Sequence, residues 1–388
     1  MEKYNFDEAI DRRHSGSAKW DEADVEVLPF WVADMDFRTA PCIIEALKKR
    51  VEHGIFGYTH VSDNYYSAVV NWFHNKHGWA INPEAIIYTT GVVPAISAII
   101  KGLLTEGDGI MVMTPAYNCF FSSIRNMGCR LAEVPLMYHK DGYTIDFDLL
   151  EKTASQHWVR MLILCNPHNP VGRVWTKSEL KRIGDICLAN NVFVLSDEIH
   201  CELTFNSHVY TPYQSLGHEY AQKSVACISP TKAFNIAGLQ IANIVCPDPI
   251  IKARVDRGIN DHEVCDVNPF GVEALMAAYE HGDAWLKQLK SYLWNNYITV
   301  RSFFNNHLPM FPITPLEGTY LVWINIAATG IGSAELSKIL IRDEKIWLSP
   351  GSTYGEGGTN FLRLNIACPN HRLTEGLKRL NNGLKKHI

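Results

Sequence analysis

What most narrows the folds open to this chain is a repeated alternation of a short, almost wholly apolar run with a longer stretch of helical spacing. AIIYTTG leads into VVPAISAIIKGLL, DGIMVMTP into AYNCFFSSIRNMG, and VRMLILCNPHNP into TKSELKRIGDICLANN, after which VFVLSDEIH and SVACISPTK follow. Strands that are apolar at nearly every position have no face to give to water. They belong in a largely parallel sheet covered by helices on both sides, an α/β architecture. Such sheets receive ligands beyond the carboxyl ends of their strands. Asn169, Asp197 and Lys232 fall at or just past those ends, which makes them the first candidates for chemistry.

From about Asp283 the texture changes to one long helix-like segment, then TYLVWINIA, an amphipathic stretch, and NFLRLNIACP. This reads as a smaller α+β domain that the N-terminal residues join. The expected division is a large domain over 46–282 and a small domain made of 1–45 and 283–388. A chain of 388 residues suits two cores better than one. With 47% hydrophobic and 20% charged residues it should be globular, and a net charge of −5 gives no general attraction for a phosphate backbone, so nucleic acid is not an expected partner. No apolar run approaches the roughly 18–20 residues of a membrane helix. The ten cysteines include no C-x-x-C pair and follow a charged start, MEKYNFDEAIDRR, so they read as reduced, mostly core thiols of a cytoplasmic protein.

Other motifs point to nothing further. His74 and His77 in WFHNKHGW read as a solvated helical face, with no metal expected. TGIGSAEL lacks the third glycine of a dinucleotide fingerprint and the chain has no G-x-x-x-x-G-K-[ST] loop, so a nucleotide-binding dehydrogenase is poorly supported. YGEGG reads as a flexible turn.

The candidate residues carry chemical reasons of their own. Lys232, in CISPTKAFNIAGL, has hydroxyls at Ser229 and Thr231 before it and apolar Phe234 and Ile236 after it. Partial desolvation there favours a neutral, nucleophilic amine, although an exposed lysine after a strand has the same local sequence. Asp197 ends an apolar strand where an unpaired carboxylate is costly, so it needs a cationic partner unless it only caps a helix. Asn169, in CNPHNPVG, offers an amide donor to a ligand oxygen or else serves the turn alone. Gly91 stands between a strand and a helix start, where free backbone N–H groups can receive a phosphate. In NFLRLNIAC the strand period puts Phe361, Arg363, Asn365 and Ala367 on one face; Arg363 offers a two-pronged match to a carboxylate, or sits in a surface ion pair on an edge strand.

Taken in order, TTGVV, the aromatic of TPAY, NPHNPVG, SDEIH, SPTKAFN and RLNIACP resemble the fold type I pyridoxal phosphate enzymes, the aspartate aminotransferase superfamily, over nearly the whole chain. The resemblance implies pyridoxal 5'-phosphate as cofactor, bonded covalently by Lys232. Asp197 would pair with its pyridine nitrogen, Asn169 with its phenolic oxygen, and Tyr117 with its ring face. Gly91, Val92, Val93, Ser229 and Thr231 would surround its phosphate, and Arg363 would hold the substrate carboxylate.

LPFWVADMDF, GIFGYTH and FNIAGLQ are similar to the MalY/PatB-type cystathionine β-lyases, or C–S lyases. Gln240 stands where aminotransferases commonly carry a basic residue eight positions beyond the lysine, and His200 where many carry a tyrosine; both departures suit the lyase branch. The implied reaction is elimination from a sulfur-containing L-amino acid such as cystathionine, cysteine or a cysteine S-conjugate, giving pyruvate, ammonia and a thiol or hydrogen sulfide. The alternatives are an aminotransferase with the same cofactor, or a regulatory protein that retains lyase activity. The same resemblance implies a homodimer in which Tyr58 reaches the neighbouring site, with Trp31 lining the substrate entrance and Asp34 positioning the substrate or a loop.

Overall fold

The structure is a computed structural model that describes residues 3–261 and 266–387. Seven strands form its main sheet: β1 (Ile86–Thr89), β2 (Gly109–Thr114), β3 (Arg130–Pro135), β4 (Val159–Cys165), β5 (Phe193–Asp197), β6 (Ser224–Ile228) and β7 (Ala242–Val245). Their spatial order is β1-β7-β6-β5-β4-β2-β3. The strands from β6 across to β3 run parallel, while β7 runs antiparallel to both β1 and β6. The apolar runs behave as their composition requires: every residue of β2 and β6 is buried. The sequence reading leaves out β7. It is only four residues long and follows a turn at Gln240, whose backbone lies in the left-handed region at φ 51°.

Helices cover both faces. On one, Val92–Leu103 packs on Pro249–Asn260 so closely that only glycine fits at the crossing. A Cβ on Gly258 would stand 2.4 Å from the Ala98 carbonyl oxygen, and one on Gly102 would stand 2.5 Å from that of Arg254. The helix Pro41–His53, packed on Pro269–His281, spans the position of the expected boundary at 45/46.

The smaller sheet is antiparallel: β8 (Leu321–Asn325), β9 (Ser349–Pro350) and β10 (Phe361–Asn365), with β10 in the middle. The helices Asp283–His307, Ser333–Glu344 and Asn370–Lys385 accompany it. Leu28–Pro29 pairs with Ile346–Trp347, which draws the N-terminal residues into this part of the fold. Buried charges then fix the segment 31–36. Asp36 contacts Lys19 at 3.1 Å, Arg12 at 2.8 Å and Arg372 at 3.0 Å and accepts from Trp20 at 2.9 Å, while Arg12 also holds Asp34 at 2.7 Å. Asn365 Nδ2 donates to the carbonyls of Val32 and Asp34, both at 2.6 Å.

One local expectation is corrected. His74 is exposed, but His77 is not on a solvated face. Its Nε2 lies 2.8 Å from Glu202, which also accepts from Trp72, and its ring packs edge-on against Tyr210 at 4.9 Å. His77, Cys201 and Glu202 lie together because the loop after β5 folds back onto the helix Asp63–His77, a long-range contact that local spacing does not reveal. YGEGG is anchored at its two ends, where Tyr354 is buried and a Cβ on Gly358 would stand 2.0 Å from the Gly351 carbonyl oxygen, while Glu356 and Gly357 between them are exposed. Cys265, one of the ten cysteines, lies outside the described residues; the other nine are free thiols, six of them buried.

Candidate active site

The register of the main sheet gathers the chemistry at one edge. Cys165 pairs with Asp197 and Asp197 with Cys227, so β4, β5 and β6 end level. The loops that leave these ends carry Asn169 and Lys232, and the loop from β1 carries Gly91 into a helix start. Together with Trp31, Tyr117 and Arg363 they line a cleft of about 770 Å³ between the main sheet and the smaller one.

Lys232 Nζ donates to the carbonyl oxygen of Ala33 at 2.8 Å. Burial, helped by the positive charge of Arg363, pushes its pKa down to about 8, against the opposing pull of Asp34 and Asp197. A neutral amine is therefore within reach near physiological pH. Asp197 is the reverse case: burial pushes it up to about 7, although the Ile199 N–H donates to its Oδ1 at 3.1 Å. No basic side chain lies within ion-pair distance of it among the described residues. A carboxylate held this way takes up either a proton or a cation.

Arg363 carries the complementary deficit. It is 4% exposed, and its partners are neutral: Asn169 Oδ1 at 3.1 Å, the Trp31 carbonyl at 2.7 Å and the Tyr354 ring at 4.9 Å. Its Nε has no hydrogen-bond partner among the described residues. Because β10 is the central strand, Arg363 is neither on an edge nor in a surface ion pair. A buried guanidinium without an acid among the described residues calls for an anion from outside.

The helix Val92–Leu103 points its N-terminus into the same cleft. Ala95 N–H is the first intrahelical donor, bonding the Gly91 carbonyl at 3.0 Å. Pro94 has no N–H, so the amides of Val92 and Val93 are the free donors of that turn, and both residues line the cleft beside Thr231. Ser229 lies behind this wall: its Oγ lies 2.8 Å from Thr231 Oγ1 and donates to the Ile241 carbonyl at 2.7 Å, so it orients Thr231. His200 lines the cleft with Nδ1 unbonded, and burial with the charges of Lys232 and Arg363 pushes its pKa down to about 3, leaving it neutral. Tyr117, raised by burial, keeps its phenolic proton.

Two predicted residues stand apart. Asp34 does not line the cleft; it sits in the ion cluster with Arg12 and Lys19. Tyr58 is 97% exposed and outside its own chain's cleft, on a surface segment with exposed Ile55 and Phe56. The sequence reading missed the Ala33 carbonyl, which also accepts from Tyr320 Oη at 2.9 Å, and the cleft side chains Cys119, Trp347 and Tyr354. Trp31 stacks on Trp347 with ring centres 4.4 Å apart. The pairing of Leu28–Pro29 with Ile346–Trp347 brings these rings together, and neither local sequence signals it.

Comparison with known proteins bears on the family and the fold. The family description for aminotransferase class I and II matches residues 25–380. Cystathionine beta-lyase PatB of Bacillus subtilis (strain 168) is 39% identical over 385 residues, covering 98% of this chain and 100% of that protein. Protein MalY of Escherichia coli (strain K12) is 33% identical over 395 residues, covering 98% and 99%. Among solved structures, cystalysin from Treponema denticola, which contains a pyridoxal 5'-phosphate cofactor, superposes with a TM-score of 0.96 at 35% identity over 99% of this chain and 100% of that one.

Proposed function

We propose that this chain, which belongs to the class I and II aminotransferase family, is a pyridoxal-phosphate-dependent carbon–sulfur lyase that converts a sulfur-containing L-amino acid to pyruvate, ammonia and a thiol. The observation that carries the reading is one cleft with two opposite buried deficits: Asp197, an acid without a base, and Arg363, a base without an acid, among the described residues. The donor set fits the cofactor. Asp197 would hold the pyridinium nitrogen, Asn169 the phenolic oxygen, Tyr117 the ring face, and the Val92 and Val93 amides with Thr231 the phosphate. When bound, pyridoxal phosphate supplies an aldehyde for covalent attachment to Lys232 and an electron sink for charge left on the substrate α-carbon.

The protein's own groups do the rest. Arg363 binds the α-carboxylate through its two-pronged fork and so fixes how the substrate lies in the cleft. Lys232, freed once the substrate's amino group has taken its place and with its proton affinity lowered, would remove the α-proton as a neutral amine. The Ala33 carbonyl orients that amine. The Cβ–S bond breaks, its electron pair leaves with sulfur, and the thiolate takes up a proton to depart as a thiol; the unsaturated three-carbon amino acid left behind takes up one water to give pyruvate and ammonia. His200, being neutral, adds no second positive charge beside Lys232.

We also place the enzyme in the cytoplasm, a reading supported by the nine free thiols. Pairing of two copies is supported by the exposed apolar Ile55, Phe56 and Tyr58, the last of which would then complete a neighbour's site. The deciding experiment incubates purified, cofactor-loaded protein with L-cystathionine. Pyruvate released without a 2-oxo acid acceptor is the expected result; an absolute need for the acceptor would make the protein an aminotransferase instead.

A further inference from the structure

The cleft is larger than its catalytic floor, and its outer wall has a character of its own. The helix Ser333–Glu344 turns Ala334, Ser337, Lys338 and Ile341 toward it, an i, i+3, i+4, i+7 stripe of one helical face. Depth is graded: Asp197 and His200 at the floor are buried, Ile341, Trp31 and Trp347 are half-buried, and Lys338 is exposed at the rim. The middle level is apolar, with the Trp31–Trp347 stack on one side.

Charge along this wall is one-sided. Asp197 is the only acidic residue lining the cleft among the described residues, and it sits at the floor, whereas Lys232, Lys338 and Arg363 are all basic. Lys338 has no acidic side chain within ion-pair distance among the described residues, and Ser337 beside it is already committed to the Leu348 carbonyl at 3.0 Å. Arg363 accounts for one substrate carboxylate. A second cation beyond an apolar stretch is left over.

We propose that Lys338 forms an anion subsite for the far end of the substrate, selecting cysteine S-conjugates whose departing thiol carries its own carboxylate at the end of a short carbon chain. The proposal rests on the carbon–sulfur lyase reading and adds the substrate class to it. The chain linking sulfur to the distal carboxylate would lie along Ile341 and the tryptophan pair. Being near solvent, the lysine–carboxylate contact is screened, so its effect is about twofold to fivefold.

The test compares holoenzyme on S-(2-carboxyethyl)-L-cysteine and on its uncharged isostere S-(2-carbamoylethyl)-L-cysteine, reading pyruvate. The ratio of kcat/KM should favour the acid in the wild type, fall to about one in Lys338→Ala, drop below one in Lys338→Glu and persist in Lys338→Arg. Calorimetric titration of the same holoenzymes with pimelate, which has the same five-atom spacing between carboxylates, and with its monoamide gives a second readout independent of turnover, and the preference for the diacid should disappear in Lys338→Ala. An acid preference that is absent in the wild type, or that survives Lys338→Ala, overturns the subsite. If neither conjugate nor S-ethyl-L-cysteine yields pyruvate, it is the lyase reading that fails, while the pimelate titration still decides whether Lys338 binds an anion.

Discussion

Arg363 Nη1 donates to Asn169 Oδ1 at 3.1 Å, joining the centre of the small sheet to the loop beyond β4. The bond fixes more than position. Because the guanidinium only donates, Asn169 must present its oxygen to it, and the amide Nδ2 is left as a donor toward the cleft. One contact thus couples the group that would grip the substrate carboxylate to the group that would grip the cofactor's phenolic oxygen.

Substituting Arg363 should therefore damage substrate binding first. Arg363→Lys keeps the charge but loses the planar fork and its reach to both Asn169 and Trp31. KM for cystathionine should rise roughly ten- to a hundredfold, the range of charge-assisted hydrogen bonds. The cofactor's visible absorbance should change little. Steady-state kinetics beside a spectrum of each variant checks this, and an unaltered KM would remove Arg363 from substrate recognition.

The proposed function gives Lys232 two duties, covalent attachment and proton removal, that two substitutions separate from mere charge. Lys232→Ala should lose covalent attachment of pyridoxal phosphate, read as loss of the cofactor label that borohydride reduction otherwise leaves on the denatured chain. Lys232→Arg restores a cation that cannot give up its proton, so it should stay as inactive as the alanine variant. Turnover in both should fall at least about a thousandfold, within the range for removing a general base. Near-normal pyruvate release from either would reassign the base.

Asp197 gives a stability signature with a definite sign. Its carboxyl is pushed up to about 7 by burial, so the folded, cofactor-free protein holds a proton that the unfolded chain gives up at lower pH. That contribution to stability is fully present below the unfolded pKa and is lost as pH rises through 7. Asp197→Asn should accordingly melt higher than the wild type at pH 8 when cofactor-free, by an increment of a few kcal/mol at most, at about 1.4 kcal/mol per pKa unit. The advantage should shrink toward pH 5. In the loaded enzyme the same change should lower turnover, because the pyridinium loses its counter-charge. Parallel melting curves of cofactor-free proteins at pH 5 and pH 8 test the first half, and assays of the loaded ones test the second.

These residues were legible in the sequence to different degrees, for physical reasons. Asp197, Asn169 and Lys232 sit where an apolar strand run ends, and burial there is costly for a polar side chain that has no ligand or partner to meet, so the sheet and its chemical edge could be read together. Arg363 was legible only as a side chain on a strand face; that the strand is central, and the guanidinium therefore buried, depends on β8 and β9 flanking it. The Ala33 carbonyl was invisible because every residue has one, and its role comes from where buried charges place the backbone. Asp34 drew attention through the resemblance, yet its carboxylate belongs to that charge cluster. His77 looked solvated because the partner that covers it, Glu202, is 125 residues away in the chain.

The charge cluster is itself testable, because it ties the N-terminal segment to catalysis at a distance. Asp36 is buried and surrounded by Arg12, Lys19, Arg372 and Trp20. Its pKa settles at about 2: burial raises it, and the charges of Lys19 and Arg372 outweigh that. The folded value lies below the unfolded one, so this stability is present above the unfolded pKa of about 4 and is lost as pH falls toward 2. Asp36→Asn removes the one acid that all three cations share; Arg12 and Lys19 keep Asp34, and Arg372 is left without an acidic partner among the described residues. Breaking a buried ion pair in this way costs about 3–5 kcal/mol, and the loss should persist in high salt because the group is shielded from counter-ions. Residues 31–36 carry the Ala33 carbonyl that orients Lys232, so whatever folded protein remains should turn over more slowly, with KM less affected than kcat. Denaturant melts at low and high ionic strength, paired with kinetics at a temperature where the variant is still folded, measure both effects; a variant as stable as the wild type would show that the segment is held by its backbone contacts and not by this cluster.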